Sequence, residues 1–368
     1  MIPVVALTGG PCGGKSSALS YLLQKLLERG FYPLFPSESP TQLMTGNLSP
    51  LTGAFSNRTF QRAVIKTMKD QLETFQQAAR ECTHPKPIII PDRLFADAEV
   101  YCDSLEIYES ILREIGISGK VEARDGFCDG VFHLRTAALG AEAFYTTANN
   151  AARRETLEEA RIMCERTLDA WVGHPHLRVI DNSTDFAGKL KRLDQEICSL
   201  LGVPVPIEIE KKYLCAPVDI TKLPVKVQKI NINQSYLYSA DPSVVLRVRK
   251  RGQYESSLYF RTEKRYLGPG KNVETEHRIS ATDYETGVHF QLPGTRLIKK
   301  DRHCFIYENQ YFEFDVIPIG DKVIYLLEIE LTEETQVPQL PPFISVLEDV
   351  TDDERYTNRA MADLSWKA

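Results

Sequence analysis

The sequence has no apolar run approaching the ~18 residues that a membrane span needs, and no paired Cys/His spacing of the kind that holds zinc. Its eight cysteines (Cys12, Cys82, Cys102, Cys128, Cys164, Cys198, Cys215 and Cys304) are widely separated and form no CxxC, so they read as reduced thiols. No stretch is low in complexity, and no segment recurs at a fixed period. The N-terminus lacks a basic region leading into an apolar core and a cleavage site, so the expectation is a cytoplasmic chain. A surplus of positive charge is also missing. At a net charge of -6 nothing pulls nucleic acid or an anionic membrane in from a distance, and any polyanion has to be met by local basic clusters. What is there is an ordinary globular composition, 43% hydrophobic and 26% charged over 368 residues, too long for one average domain. Two domains are expected.

From the start to about residue 201, short apolar runs alternate with longer helical patterns. The runs are residues 4–7, 33–36, 88–90 and 179–180; the helical patterns are 19–27, 60–79, 151–171 and 186–201. That rhythm predicts strand-helix-strand units and a parallel sheet flanked by helices. A stiff connector, Gly202-Val203-Pro204-Val205-Pro206, follows. It predicts domains over 1–202 and 203–368. Beyond it, charged residues alternate with aliphatic ones, as in Ile207-Glu208-Ile209-Glu210 and Leu327-Glu328-Ile329-Glu330-Leu331, which is the period of a strand with one polar face. The second domain is expected to be α+β, mainly an antiparallel β-barrel.

Gly9-Gly10-Pro11-Cys12-Gly13-Gly14-Lys15-Ser16 fits GxxxxGK[ST] between a strand and a helix, the context that makes a phosphate-binding P-loop specific. Backbone N–H groups at Gly9, Gly10, Gly13 and Gly14 and the start of the helix at Lys15, Ser16 and Ser17 would surround the phosphates of ATP or GTP. Lys15 would reach the β and γ phosphates, and Ser16 would ligate Mg²⁺. Asp92, closing the apolar run Ile88-Ile89-Ile90, would complete the metal shell or accept a proton, while Arg93 holds a phosphate. The alternative for Arg93 is a surface pair with Asp92 or Asp97. Glu38 stands either at an acceptor site or in a solvated loop. Arg153 and Arg154 open a helix as a lid would, or line a solvated face. Asp181-Asn182 would contact a nucleobase, or Asn182 or Ser183 would cap a helix. His174 and His176 read as loop packing.

In the second half, alternate charges recur strand after strand: Glu208, Glu210 and Lys212; Arg247 and Arg249; Glu274 and Glu276; Lys300 and Arg302; Glu313 and Asp315; Glu328 and Glu330. One such pair means only a wet sheet face. If the sheet closes, the charges face one another in an interior that is costly to bury dry, which predicts a wet tunnel. Lys212, Arg247, Arg249, Lys264, Lys300 and Arg302 would bind a polyphosphate; Glu208, Glu210, Asp315, Glu328 and Glu330 would hold Mg²⁺ or Mn²⁺ for in-line attack by water. Glu208, Glu210 and Lys212, with Lys15, Asp92 and Arg93 of the first half, are the expected catalytic residues.

The first half resembles the nucleotide-kinase-like AAA-type P-loop ATPases, through the P-loop, through Asp92-Arg93 with Ala98 and Tyr101, and through Phe144-Tyr145, Arg154-Glu155 and Trp171 to His176. Glu208-x-Glu210-x-Lys212, with Arg247-x-Arg249, Lys264, Lys300-x-Arg302 and Glu328-x-Glu330, resembles the CYTH or triphosphate tunnel metalloenzyme family. That likeness implies a metal-dependent triphosphatase acting on tripolyphosphate, a nucleoside triphosphate or thiamine triphosphate. The two halves together resemble the TRPL translocation-defect family, which implies a different role: a GTP-regulated adaptor that binds an anionic phospholipid headgroup at a membrane. A third reading is a small-molecule or nucleic-acid-end kinase with the tunnel as a polyphosphate sensor.

Overall fold

The computed structural model describes residues 2–145, 156–203, 208–268, 271–332 and 336–367. The chain divides into two compact units, Met1–Ile197 and Cys198–Ala368.

Unit one runs β1 (Val5–Gly9), α1 (Lys15–Glu28), β2 (Tyr32–Leu34), α2 (Ser39–Thr45), α3 (Asn57–Arg80), β3 (Pro87–Ile89), α4 (Leu105–Ile115), α5 (Lys120–Asp125), β4 (Gly130–Leu134), α6 (Leu157–Trp171), β5 (Leu177–Ile180) and α7 (Phe186–Leu200). β1, β4 and β5 form one parallel sheet and β2 and β3 another; parallel bridges Val4↔Ile89 and Leu7↔Asp92 join them in the order β2-β3-β1-β4-β5. Strands covered on both faces are mostly apolar, and all of β1 and all of β4 are buried. Helices contribute stripes: α1 buries Lys15, Ala18, Leu22 and Leu26, three or four residues apart. Ser56 caps α3 by accepting from the Thr59 N–H at 3.1 Å, and Thr156 with Glu159 forms a capping box on α6.

Unit two contains β6 (Glu208–Cys215), β7 (Gln228–Leu237), β8 (Val244–Gln253), β9 (Ser256–Gly268), β10 (Lys271–Ile279), α8 (Ala281–His289), β11 (Ile298–Tyr307), β12 (Gln310–Ile319), β13 (Lys322–Leu331), β14 (Val346–Asp349) and α9 (Asn358–Met361). The strands pair antiparallel in the order β10-β9-β8-β7-β11-β12-β13-β6-β14, and β10 also pairs with β6 through Lys271↔Ile209 and Asn272↔Glu208. Eight strands thus close into a ring with β14 added outside. The outer apolar side chains Tyr213, Phe305, Phe312, Phe314, Leu327 and Ile329 are covered by the unit's own connecting segments, through Ile220, Leu223, Val225, Leu340 and Phe343. One end of the interior is apolar: Tyr236, Ile298, Ile317 and Leu326 pack against Val350, Tyr356, Met361 and Ala362 of the C-terminal segment. The charged zone lies beside a plug.

Candidate functional site

The phosphate loop owes its shape to β4. Gly9 has φ +140°, and a Cβ there would stand 2.2 Å from the Leu134 carbonyl oxygen, so only glycine lets the loop leave β1 at this angle. Lys15, Ser16 and Ser17 form the first turn of α1; Ser16 and Ser17 are exposed, whereas Lys15 lies buried with Nζ 3.9 Å from Asp92 Oδ1. Asp92 arrives there because β3 continues along β1, with Leu7 N–H donating to the Pro91 carbonyl at 3.1 Å and Arg93 N–H to the Leu7 carbonyl at 2.9 Å. Burial raises the Asp92 carboxyl above its usual range, and burial followed by Arg93 lowers the Lys15 amine. Asp92 Oδ1 is buried with no hydrogen-bond partner, an orphaned carboxyl oxygen of the kind that fits a Mg²⁺ ligand.

Arg93 is not a surface residue and does not pair with Asp92. It is 7% exposed in a left-handed conformation (φ +73°), reaches Glu38 Oε1 at 3.3 Å and Asp97 Oδ1 at 3.4 Å, and sits 5.7 Å from the Tyr101 ring centre. Asp97 also accepts from the Thr8 hydroxyl and, at 3.0 Å, from the Leu94 N–H. Glu38 is therefore no loose loop acid: burial pushes its carboxyl up, but Arg93, Lys15 and Thr41 outweigh this and hold it below its usual range. Asn182 caps nothing. Its amide donates to the carbonyls of Thr136 at 2.8 Å and Leu139 at 2.7 Å, and Asp185 Oδ1 instead receives the Gly188 N–H of α7 at 2.8 Å. His174 Nδ1 accepts from the His176 N–H at 3.0 Å, in keeping with loop packing. Arg153 and Arg154 lie outside the described residues.

In the ring, Glu210, Lys212, Arg247, Arg249, Lys264, Lys300, Arg302, Asp315, Glu328 and Glu330 share the inward face by register. Lys300, Asp315 and Glu328 are each under 5% exposed. Arg302 donates from Nε to Asp315 Oδ1 and from Nη2 to Asp315 Oδ2, both at 2.7 Å, and also reaches Glu328 and Glu313; Lys300 closes on Asp315. Lys212 lies 2.9 Å from Glu328 and 3.6 Å from Glu210. Arg247 is 3.0 Å and Lys264 3.3 Å from Glu274, and Arg249 pairs with Glu276. Burial drives the Glu328 carboxyl up, yet Lys212, Lys300 and Arg302 hold it well below the carboxylate range. Glu313 goes the other way: burial raises it, Arg302 opposes, and crowding by Asp315, Glu328 and Glu330 adds to the rise. The Glu208 backbone pairs with Asn272; its side chain lies outside the description.

Among the described residues, no three His, Cys, Asp or Glu side chains stand ready to hold a metal ion. The expected ligands Asp315 and Glu328 are instead taken by the neighbouring cations, because a carboxylate buried beside guanidinium and ammonium groups pairs with them.

A family profile described as an AAA domain matches residues 4–189. An inorganic triphosphatase of Nitrosomonas europaea is 31% identical over 160 residues, 42% of this chain and 96% of that protein. The chain belongs to the AAA-domain family and is a relative of the inorganic triphosphatases. A solved structure of an inorganic triphosphatase covers 42% of this chain and 93% of its own, at 30% identity and a TM-score of 0.31. A protein of Pyrococcus horikoshii covers 35% and 80%, at 23% identity and a TM-score of 0.26.

Inside the AAA domain, sequence reasoning missed β4, whose Leu134 shapes the phosphate loop. In the ring it missed Arg251, 2% exposed on the inward face, and gave no role to Glu313. Both carried a signal, since each continues a period-two series: Arg247, Arg249, Arg251 and Glu313, Asp315. No helix among the described residues is long and apolar enough to cross a membrane.

Proposed function

We propose that the chain is a two-site phosphate-handling protein: the ring of unit two binds and hydrolyses a triphosphate with a divalent metal, and the AAA domain binds ATP or GTP at Gly9 to Ser17. The observation that carries it is the inward face shared by six cations and their carboxylates: Lys212, Lys300 and Arg302 meet Glu328, Asp315 and the raised Glu313, while Arg247, Arg249 and Lys264 meet Glu274 and Glu276. The kinship with an inorganic triphosphatase supports the same reading, as does the CYTH-like order of these residues.

The ion pairs suggest how binding works. A triphosphate entering the ring supplies oxygens to Lys212, Arg247, Arg249, Lys300 and Arg302, and each phosphate contact releases a carboxylate that the same cation had neutralised. Glu210, Glu313, Glu328 and Glu330 would then hold Mg²⁺ or Mn²⁺, which supplies a polarised phosphoryl oxygen and an acidified water. Lys212 and Arg302 remain to stabilise charge on the phosphoryl group and the departing phosphate. Metal and triphosphate should accordingly bind together, each weakly alone.

In the AAA domain, Lys15 sits between the phosphate loop and Asp92, and Arg93, locked by Glu38, Asp97 and Tyr101, is prepositioned at the mouth of the same strand ends. Phosphate release from tripolyphosphate by the purified full chain tests the proposal. Release that requires Mg²⁺ or Mn²⁺, stops with chelator and falls about 100-fold in Arg302→Ala is expected. No release with either metal from tripolyphosphate, ATP, GTP or thiamine triphosphate would leave the ring a binding site.

A further inference from the structure

Phe186, the first residue of α7, is 48% exposed yet packs on the phosphate loop. A Cβ built on Gly14, where φ is +91°, would stand 2.7 Å from the Phe186 Cε2 and 3.1 Å from its Cζ. An aromatic ring is thus held half in water against the last glycine of the loop. The polar side chains around it are already committed inward. Asn182 spends its amide hydrogens on the Thr136 and Leu139 carbonyls, and its Oδ1 accepts from Lys189 Nζ at 2.8 Å. Asp181 Oδ1 accepts from the Ser183 N–H at 3.1 Å, the Ser183 hydroxyl at 2.6 Å and Arg192 Nη1 at 2.7 Å. Lys189, 3% exposed, also donates to the Arg135 carbonyl at 2.6 Å. The Asn182 amide and the Lys189 amine are thus already bonded, whereas Phe186 is left 48% exposed.

Resting on the assignment of Gly9 to Ser17 as a nucleotide site, we infer that Phe186 is the platform on which the base of the bound nucleotide stacks, and that the site takes purine nucleotides by their π-face rather than through Asn182. Stacking on an aromatic ring tolerates many bases but grows with overlap, so a two-ring base gains more than a one-ring base. The committed hydrogen bonds of Asn182 and Lys189 then have a positioning role: they tie the loop after β4 to α7 and so fix where Phe186 stands.

The test is a set of equilibrium titrations of the full chain with ATP, GTP, CTP and UTP, in the wild type, Phe186→Ala, Phe186→Trp and Lys15→Ala, with melting curves to verify folding. The wild type should bind ATP and GTP about tenfold more tightly than CTP and UTP. Phe186→Ala should bring that preference down to about twofold by weakening the purines, and Phe186→Trp should retain it. A merely structural role for the ring would weaken all four nucleotides alike. A folded Phe186→Ala protein that keeps the purine preference overturns the inference, as does a wild type with none, provided Lys15→Ala abolishes binding in the same series. If Lys15→Ala leaves every affinity unchanged, the nucleotide site itself is misassigned.

Discussion

Asp315 is the residue whose surroundings are most demanding. It is wholly buried on β12 between Lys300 and Arg302, with two 2.7 Å bonds from the guanidinium. Removing one member of such a group strands the others without water or a partner, which typically costs ~3 kcal/mol or more. Asp315→Asn is therefore expected to lower unfolding stability by about 3 kcal/mol in chemical denaturation, although a metal-ligand role alone would leave stability of the metal-free protein intact. A change under about 0.5 kcal/mol would mean the ion pairs are incidental. Much at this scale was legible in the sequence. The GxxxxGK[ST] spacing located Lys15 and Ser16, and the period of two located Lys212, Arg247, Arg249, Lys300 and Arg302 on one face. Their partners were not legible, because a strand pattern gives the face of a residue and not its neighbour across the ring. Arg93 shows the same limit. Its partners Glu38 and Asp97 lie on either side of it in sequence, and only the run of β3 beside β1 turns a surface pair into a buried cluster.

At the scale of elements, strands were read where apolar residues cluster and missed where they do not. β4 reads Gly130-Val131-Phe132-His133-Leu134, and its glycine and histidine mask the apolar run. Yet His133 is fully buried, its imidazole 3.2 Å from the Thr167 hydroxyl, and burial keeps it neutral by lowering its pKa well below the usual value. In the ring, β10 closes the circle with few backbone pairs to β6, and its hold on β8 runs through charges, Arg247 to Glu274 and Arg249 to Glu276. Burial pushes the Glu274 carboxyl up, but Arg247 and Lys264 prevail and hold it at about 2, against 4.5 unperturbed. A depressed carboxylate stabilises the fold above its unfolded pKa and loses that contribution as pH falls toward its folded one. The stability difference between wild type and Glu274→Gln should hence be full above pH 4.5 and shrink between pH 4.5 and about 2. Denaturant titrations across that range check it, and a difference that grows on acidification contradicts the pairing.

Over the whole molecule, the change of texture from apolar runs to alternating charge foretold an α/β half and a mainly antiparallel half. The C-terminal plug was not foreseen. Val350, Tyr356, Met361 and Ala362 carry no period that announces a barrel interior, and their partners Tyr236, Ile298, Ile317 and Leu326 are far away in sequence. The plug matters for function because it confines the charged zone and with it the extent of any ligand. The two sites call on different lysines, Lys15 and Lys212, so one comparison separates them. Phosphate release from tripolyphosphate with Mn²⁺ is measured in Lys15→Ala and Lys212→Ala. The account predicts that Lys15→Ala keeps the wild-type rate within about twofold, while Lys212→Ala loses about 100-fold. The reverse pattern, with hydrolysis lost in Lys15→Ala and kept in Lys212→Ala, would contradict it and place the chemistry in the AAA domain.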